Sequence, residues 1–152
     1  MTVKEVMTTE FTACAPADTL AAVSKSMRER DCGFIPVVNA GGTAVGIVTD
    51  RDLALAVGGS TRAAERISAA EVMSTPVFAC FAEENLKVVL ATMAAHHVRR
   101  LPVLDKQHGH VVGVLSLDDI ARAPHHRGAP TAEEIVDAFR RIVSAPGISV
   151  TA

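Results

Sequence analysis

The sequence predicts an α+β protein made of two copies of a β-α-β-β-α unit, followed by a C-terminal helix. Three observations predict it. EVMTTEFTAC at 5–14 returns as EVMSTPVFAC at 71–80, with six of ten positions identical. The same offset of 66 carries Met27 to Met93, Ile35-Pro36-Val37 to Leu101-Pro102-Val103, and Asn39 to Asp105. After one extra residue, GIVTDRDL at 46–53 returns as GVLSLDDI at 113–120. Internal repetition of this kind marks a structural unit that cannot bury its apolar face alone. Two copies packed sheet-to-sheet about a pseudo-two-fold axis would cover both faces. The expected partition is repeat one over 1–57, a linker over 58–67, repeat two over 68–123, and a linker with an amphipathic helix over 124–152.

Each element has a local reason. The opening stretch of each repeat ends in a β-prone segment, 11–15 or 77–81. A helix follows, which Asp18 or Thr19 can cap. Leu20, Val23 and Met27 fall on one of its faces, as do Leu86, Val89, Leu90 and Met93 in the second copy. Ile35-Pro36-Val37-Val38 reads as an apolar strand with Pro near its start, where a missing amide is tolerated. Gly41-Gly42 and Gln107-His108-Gly109 mark turns that can accept the extra residue. The run Ala44-Val45-Gly46-Ile47-Val48 is the next strand, and the last helix of each repeat begins at Thr49 or Ser116. In the tail, 124–130 reads as a linker. Thr131 and Glu134 form a capping box for a helix with Ile135, Phe139 and Ile142 on one stripe, widened by Val136 and Val143 and ended by Gly147. Such a helix is marginal alone and must pack on the module or on a partner chain.

Composition excludes several classes. The 152 residues are 49% hydrophobic, so a sizeable core is available. The net charge is −2 with signs interspersed, which offers no basic stripe for nucleic acid. Trp and Tyr are absent, leaving five Phe as possible base-stacking platforms. No apolar run is long enough for a membrane span. The start, MTVKEVMTTE, lacks the basic-then-apolar pattern of a secretory signal. With three Cys, the expectation is a cytoplasmic chain with reduced thiols.

The ordered motifs resemble a tandem cystathionine-β-synthase (CBS) domain pair, or Bateman module, of the stand-alone bacterial type. The residues that carry the resemblance are Val6-Met7 and Val72-Met73, the Ile35-Pro36-Val37-Val38 and Leu101-Pro102-Val103-Leu104 strands, and GIVTDRDL with GVLSLDDI. They cover residues 2 to about 122. The resemblance implies a non-enzymatic regulatory module. Its ligand would be an adenine nucleotide (AMP, ADP, ATP) or related adenosyl compound, bound in the cleft between repeats as an energy or metabolite signal. No cofactor would be required. It also implies a homodimer through the CBS helices and an unidentified protein partner that reads the ligand state.

The family's ribose pattern, a hydroxyl residue followed three positions later by an acid, falls on Thr49 and Asp52 and on Ser116 and Asp119. A carboxylate accepts from both ribose hydroxyls, and a helix start favours phosphate. The same spacing is also a capping box with Asp in the acid position. Adenine would lie against Ala15, Pro16, Ile35 and Pro36, or against Leu101 and Pro102. Arg51, Arg99 and Arg100 are the basic candidates for phosphate; Arg99 and Arg100 stand where the first copy has Gly33 and Phe34. Two other readings remain open. One is a ligand-free dimeric scaffold. The other is a metal- or redox-responsive module using His96-His97, His108, His110 or His125-His126 together with Cys32. Cys14 and Cys80, at equivalent positions, read as small buried hydrophobes. No catalytic constellation stands out.

Overall fold

The computed structural model describes residues 1–123 and 128–144. The linker residues His125 and His126, and Gly147 as helix terminator, lie outside them. The second repeat shows the expected order; in the first, the leading strand is reduced to an isolated bridge at Cys14. In the first, α1 (Leu20–Arg30) precedes the antiparallel strands β1 (Phe34–Val38) and β2 (Ala44–Thr49), then α2 (Asp50–Gly58). In the second, the short strand β3 (Cys80–Phe81) and α4 (Leu86–His96) precede β4 (Arg100–Leu104), β5 (Val111–Ser116) and α5 (Leu117–Arg122). Between the repeats stands α3 (Ala69–Val72), and α6 (Ala132–Val143) follows them. The leading strand runs parallel to the next in both copies at the same register: Cys80 pairs with Val103, and Cys14 forms an isolated bridge to Val37. Of the two candidate caps of α1, Thr19 takes the role, accepting from the Ala22 amide at 3.3 Å, while Asp18 accepts from the Ala15 amide at 2.8 Å. Asp31 and His97, both left-handed, end α1 and α4 in the same way.

The chain forms two compact units that do not coincide with the sequence repeats. One joins Met1–Thr9 to Phe78–Lys106 and the residues from Val112 onward; the other joins Glu10–Val77 to Gln107–Val111. Each unit is thus completed by the opening stretch of the other repeat. In the first unit, the Val3 and Lys4 amides donate to Glu84 and Ala82 carbonyls at 3.0 and 2.8 Å, and Thr8 bridges Val114. In the second, the Ala69 and Ala70 amides donate to Asp18 and Pro16 at 2.8 and 2.9 Å, and Ser74 bridges Ile47. Two glycines admit these stretches. A Cβ on Gly113 would lie 3.0 Å from both Met7 Sδ and the Thr8 carbonyl; a Cβ on Gly46 would overlap Met73, at 2.7 Å from its Cγ.

The core of the first unit gathers Val3, Leu86, Val89, Leu90, Met93, Leu101, Val103, Leu115 and Ile120. The core of the second is smaller, around Val23, Met27, Ile35, Val37, Val48 and Ala69. The difference is the third helix. α6 packs on α4 and α5, burying Ala138 and Ile142. It seats on Leu90 and Ala94, both buried, whose first-repeat counterparts Ser24 and Arg28 are exposed. The Lys87–Glu134 pair at 2.9 Å pins its start, and His97 Nδ1 lies 2.8 Å from the Arg141 carbonyl near its end. The sequence stripe needs one correction. Its buried centre is Ala138 and Ile142, whereas Phe139 stays 44% exposed, turned from the core toward Arg99, whose guanidinium carbon lies 5.3 Å from the ring centre.

Two outcomes follow for stability. Gly46→Ala forces a methyl into Met73 and should cost about 1–3 kcal/mol in urea unfolding, whereas Gly58→Ala, with nothing within 4 Å of the added carbon, should be neutral or gain up to about 1 kcal/mol. In the second unit Glu71 is held at a pKa of about 2, chiefly by its hydrogen bond from Arg62 and then by the Ser68 amide. Its stabilising effect is present above the ordinary carboxylate value of 4.5 and is lost as pH falls toward 2. A Glu71→Gln protein should therefore lose less of its melting temperature than wild type between pH 6 and pH 3, as read by calorimetry.

Candidate functional site

The hydroxyl–acid pairs are built by the strand-to-helix junctions. β2 ends at Thr49, whose extended backbone turns its hydroxyl toward the first turn of α2. There Thr49 Oγ1 accepts from the Asp52 amide at 3.2 Å. Asp52 Oδ2 in return accepts from the Thr49 amide at 2.8 Å and from the Thr49 hydroxyl at 2.7 Å. At the end of β5, Ser116 and Asp119 repeat this at 3.1, 2.8 and 2.5 Å. Both boxes are half-buried. The capping reading is therefore realised in both copies, and it uses one carboxylate oxygen of each acid.

The other oxygen distinguishes the copies. Asp119 Oδ1 accepts from Arg122 Nη2 at 2.9 Å, an i,i+3 ion pair whose Arg is 75% exposed. Position 122 corresponds to Leu55 in the first repeat, so Asp52 has no such partner, and its Oδ1 carries no hydrogen bond among the described residues. That pairing was not read from the sequence; the i,i+3 spacing of an acid and an Arg on a helix is the signal that could have found it.

The remaining predicted residues fall as follows. Arg51 is exposed on the first turn of α2. Ile35 and Leu101 are fully buried in their cores, and Pro36 and Pro102 are buried beside them in β1 and β4. Ala15 is exposed and Pro16 half-buried. Arg99 and Arg100 open β4 and face α6: with Leu117, Asp118, Ala121, Ile135, Val136 and Phe139 they line a cavity of about 280 Å³. Among the described residues, the equivalent face of the first repeat has no third helix. It carries a wider polar hollow of about 420 Å³, bounded by Arg28, Asp31, Cys32, Gly33 and Asp50 among others. A Cβ on Gly33 would come within 2.6 Å of Asp50 Oδ2, so the exposed Asp50 side chain would have to turn aside.

Burial pushes the Cys14 and Cys80 thiols up, to about 11 and about 12, so both stay protonated and behave as apolar side chains. Cys32 is half-buried. His108 and His110 stack with ring centres 5.3 Å apart. Among the described residues, no helix is long and apolar enough to cross a membrane.

Comparison with known proteins agrees with this architecture. The CBS domain family model matches residues 3–59 and again 69–126. The CBS domain-containing protein YhcV of Bacillus subtilis is 34% identical over 119 residues, covering 78% of this chain and 82% of YhcV. A crystal structure of Hypoxic Response Protein I with two coordinated zinc ions aligns at a TM-score of 0.73 and 28% identity, over 82% of this chain and 99% of that one. The CBS domain pair of protein MJ0100, in complex with 5′-methylthioadenosine and S-adenosyl-L-methionine, aligns at 0.68 and 24% identity, over 80% and 94% of the two chains.

Each box acts as a cap whatever else it does. Thr49→Ala and Ser116→Ala should each cost about 1 kcal/mol in urea unfolding. Arg122→Ala, which removes only a largely exposed ion pair, should stay within about 0.5 kcal/mol of wild type in the same measurement.

Proposed function

Because this chain belongs to the CBS domain family, we propose that it is a non-enzymatic regulatory module that binds an adenine nucleotide or a related adenosyl ligand, with the Thr49–Asp52 pair holding the ribose. The observation that carries the reading is the convergence, in both repeats, of a hydroxyl and a carboxylate at a helix start. Asp52 Oδ2 is already committed to the cap. Its Oδ1 is left to accept from a ribose hydroxyl without dismantling the helix. α2 spans nine residues, and its free amides and Arg51 supply positive charge for phosphate. Asp50, one residue away, favours a ligand with modest negative charge there. The Ser116–Asp119 pair is the weaker ribose seat, since a ligand must first displace Arg122 from Asp119. MJ0100 binds adenosyl compounds on a related fold, which favours adenosine over other nucleosides.

Ligand binding acts by population shift: the nucleotide favours one arrangement of the module, and a partner protein reads it. A homodimer through the helices fits α2, which leaves Leu55 62% and Val57 46% exposed. The cytoplasm, where adenine nucleotides are abundant, is the location that suits this role.

Thermal-shift and calorimetric titrations with AMP, ADP, ATP and S-adenosylmethionine test the reading. At least one should raise the melting temperature, corresponding to about 2.7 kcal/mol at a hundredfold excess over Kd. Asp52→Ala should remove that binding, and Asp119→Ala should spare it. No shift with any of the four at millimolar concentration would identify the chain as a ligand-free scaffold instead.

A further inference from the structure

We propose that α6 builds a second ligand pocket, confined to the unit that contains it, for a small organic carboxylate with an aliphatic or aromatic body. The pocket is the cavity of about 280 Å³ between the start of β4, α5 and α6. Its volume lies near the lower end of small-molecule sites. Its walls are apolar on three sides: Leu117 and Ala121 from α5, with Ile135, Val136 and Phe139 from α6. Val136 and Phe139 are 47% and 44% exposed although their neighbours Ala138 and Ile142 are buried, so α6 presents apolar surface to this space as well as to the core.

Against those walls stand two cations. Arg99 lies over Phe139, its guanidinium carbon 5.3 Å from the ring centre. Arg100 is half-buried at the first position of β4. Among the described residues neither guanidinium has a carboxylate partner, although Asp118 lines the same cavity. Two guanidiniums and one carboxylate leave a net charge of +1. That balance suits a monoanion; a phosphate dianion or a polyphosphate would add repulsion from Asp118 without further cations to offset it. A planar carboxylate also matches the bidentate geometry of Arg. No wall side chain other than these three carries a polar group to read a sugar or a base.

The repeat shows that the pocket is an addition to the module. In the first copy the positions of Arg99 and Arg100 hold Gly33 and Phe34, that of Leu117 holds Asp50, and among the described residues no helix covers the face. The site is therefore independent of the Thr49–Asp52 pair.

The test uses the full chain and 3-phenylpropanoate as probe, with binding followed by calorimetry and by methyl NMR. Saturable binding is expected at millimolar concentration or below, with shifts on the methyls of Leu117, Ala121, Ile135 and Val136. Arg99→Gln and Val136→Asp, both at exposed positions that tolerate change, should each weaken it at least tenfold while circular dichroism and melting temperature hold. Inorganic phosphate at equal concentration should not displace the probe, and Asp52→Ala should bind it as wild type does, which separates this site from the nucleotide reading. Absence of saturable binding, unchanged affinity in both pocket variants, displacement by phosphate, or methyl shifts elsewhere would overturn the proposal.

Discussion

The structure depends on the contact between an opening methionine and a strand glycine. Met73 lies over Gly46 at a distance that leaves no room for a Cβ, and Met7 lies over Gly113 so closely that a Cβ there would press on it and on the Thr8 carbonyl. This close approach lets the backbone of the opening stretch bridge the last strand of its unit, Thr8 to Val114 and Ser74 to Ile47. Each of those strands ends at the hydroxyl residue that starts the next helix. The position of the Thr49 and Ser116 hydroxyls thus follows from how the glycine strand is seated. A methyl at either glycine would press on the opening stretch, and through the strand on the candidate site.

Because the opening stretch in each case comes from the other repeat, neither repeat is complete as a contiguous piece of sequence. The units are joined by chain crossing in both directions, and the loss of one opening stretch would strip its partner unit of Val3 or Ala69, both fully buried. A segment that belongs by sequence to one repeat thus supplies core residues to the unit built mainly on the other.

Most of the fold was legible because its signals are local. Period-3.6 apolar positions gave α1 and α4, Gly turns gave the hairpins, and the hydroxyl–acid spacing gave the helix starts. What sequence reading missed needs partners distant along the chain. The exchange of opening stretches is invisible to a repeat comparison, which can only report that residues 5–14 and 71–80 are alike. The seat of α6 was encoded in a difference between copies, Leu90 and Ala94 against Ser24 and Arg28, which a search for similarity passes over. Phe139 was placed on the buried stripe by its spacing, but its ring pairs with Arg99, a contact across forty residues. Cap and ribose seat could not be told apart by spacing, since both need the same two residues. The geometry narrows the question by showing that the cap occupies only one carboxylate oxygen.

Several of the differences between the two repeats fall on one face. The second gained apolar residues at 90 and 94, a basic pair at 99 and 100, and a leucine at 117 in place of an acid. Here they converge on the ground beneath one helix: Leu90 and Ala94 give α6 its seat, Arg99 takes its phenylalanine, and Leu117 faces its exposed valine across a cavity. The first repeat kept Gly33, Asp50 and Arg51 at the matching positions, and with them an open polar hollow and an acid at 52 free of any Arg partner. One copy has a hydroxyl–acid pair at a helix start with no Arg partner among the described residues, and the other has a helix and a charged, apolar-walled cavity on its equivalent face.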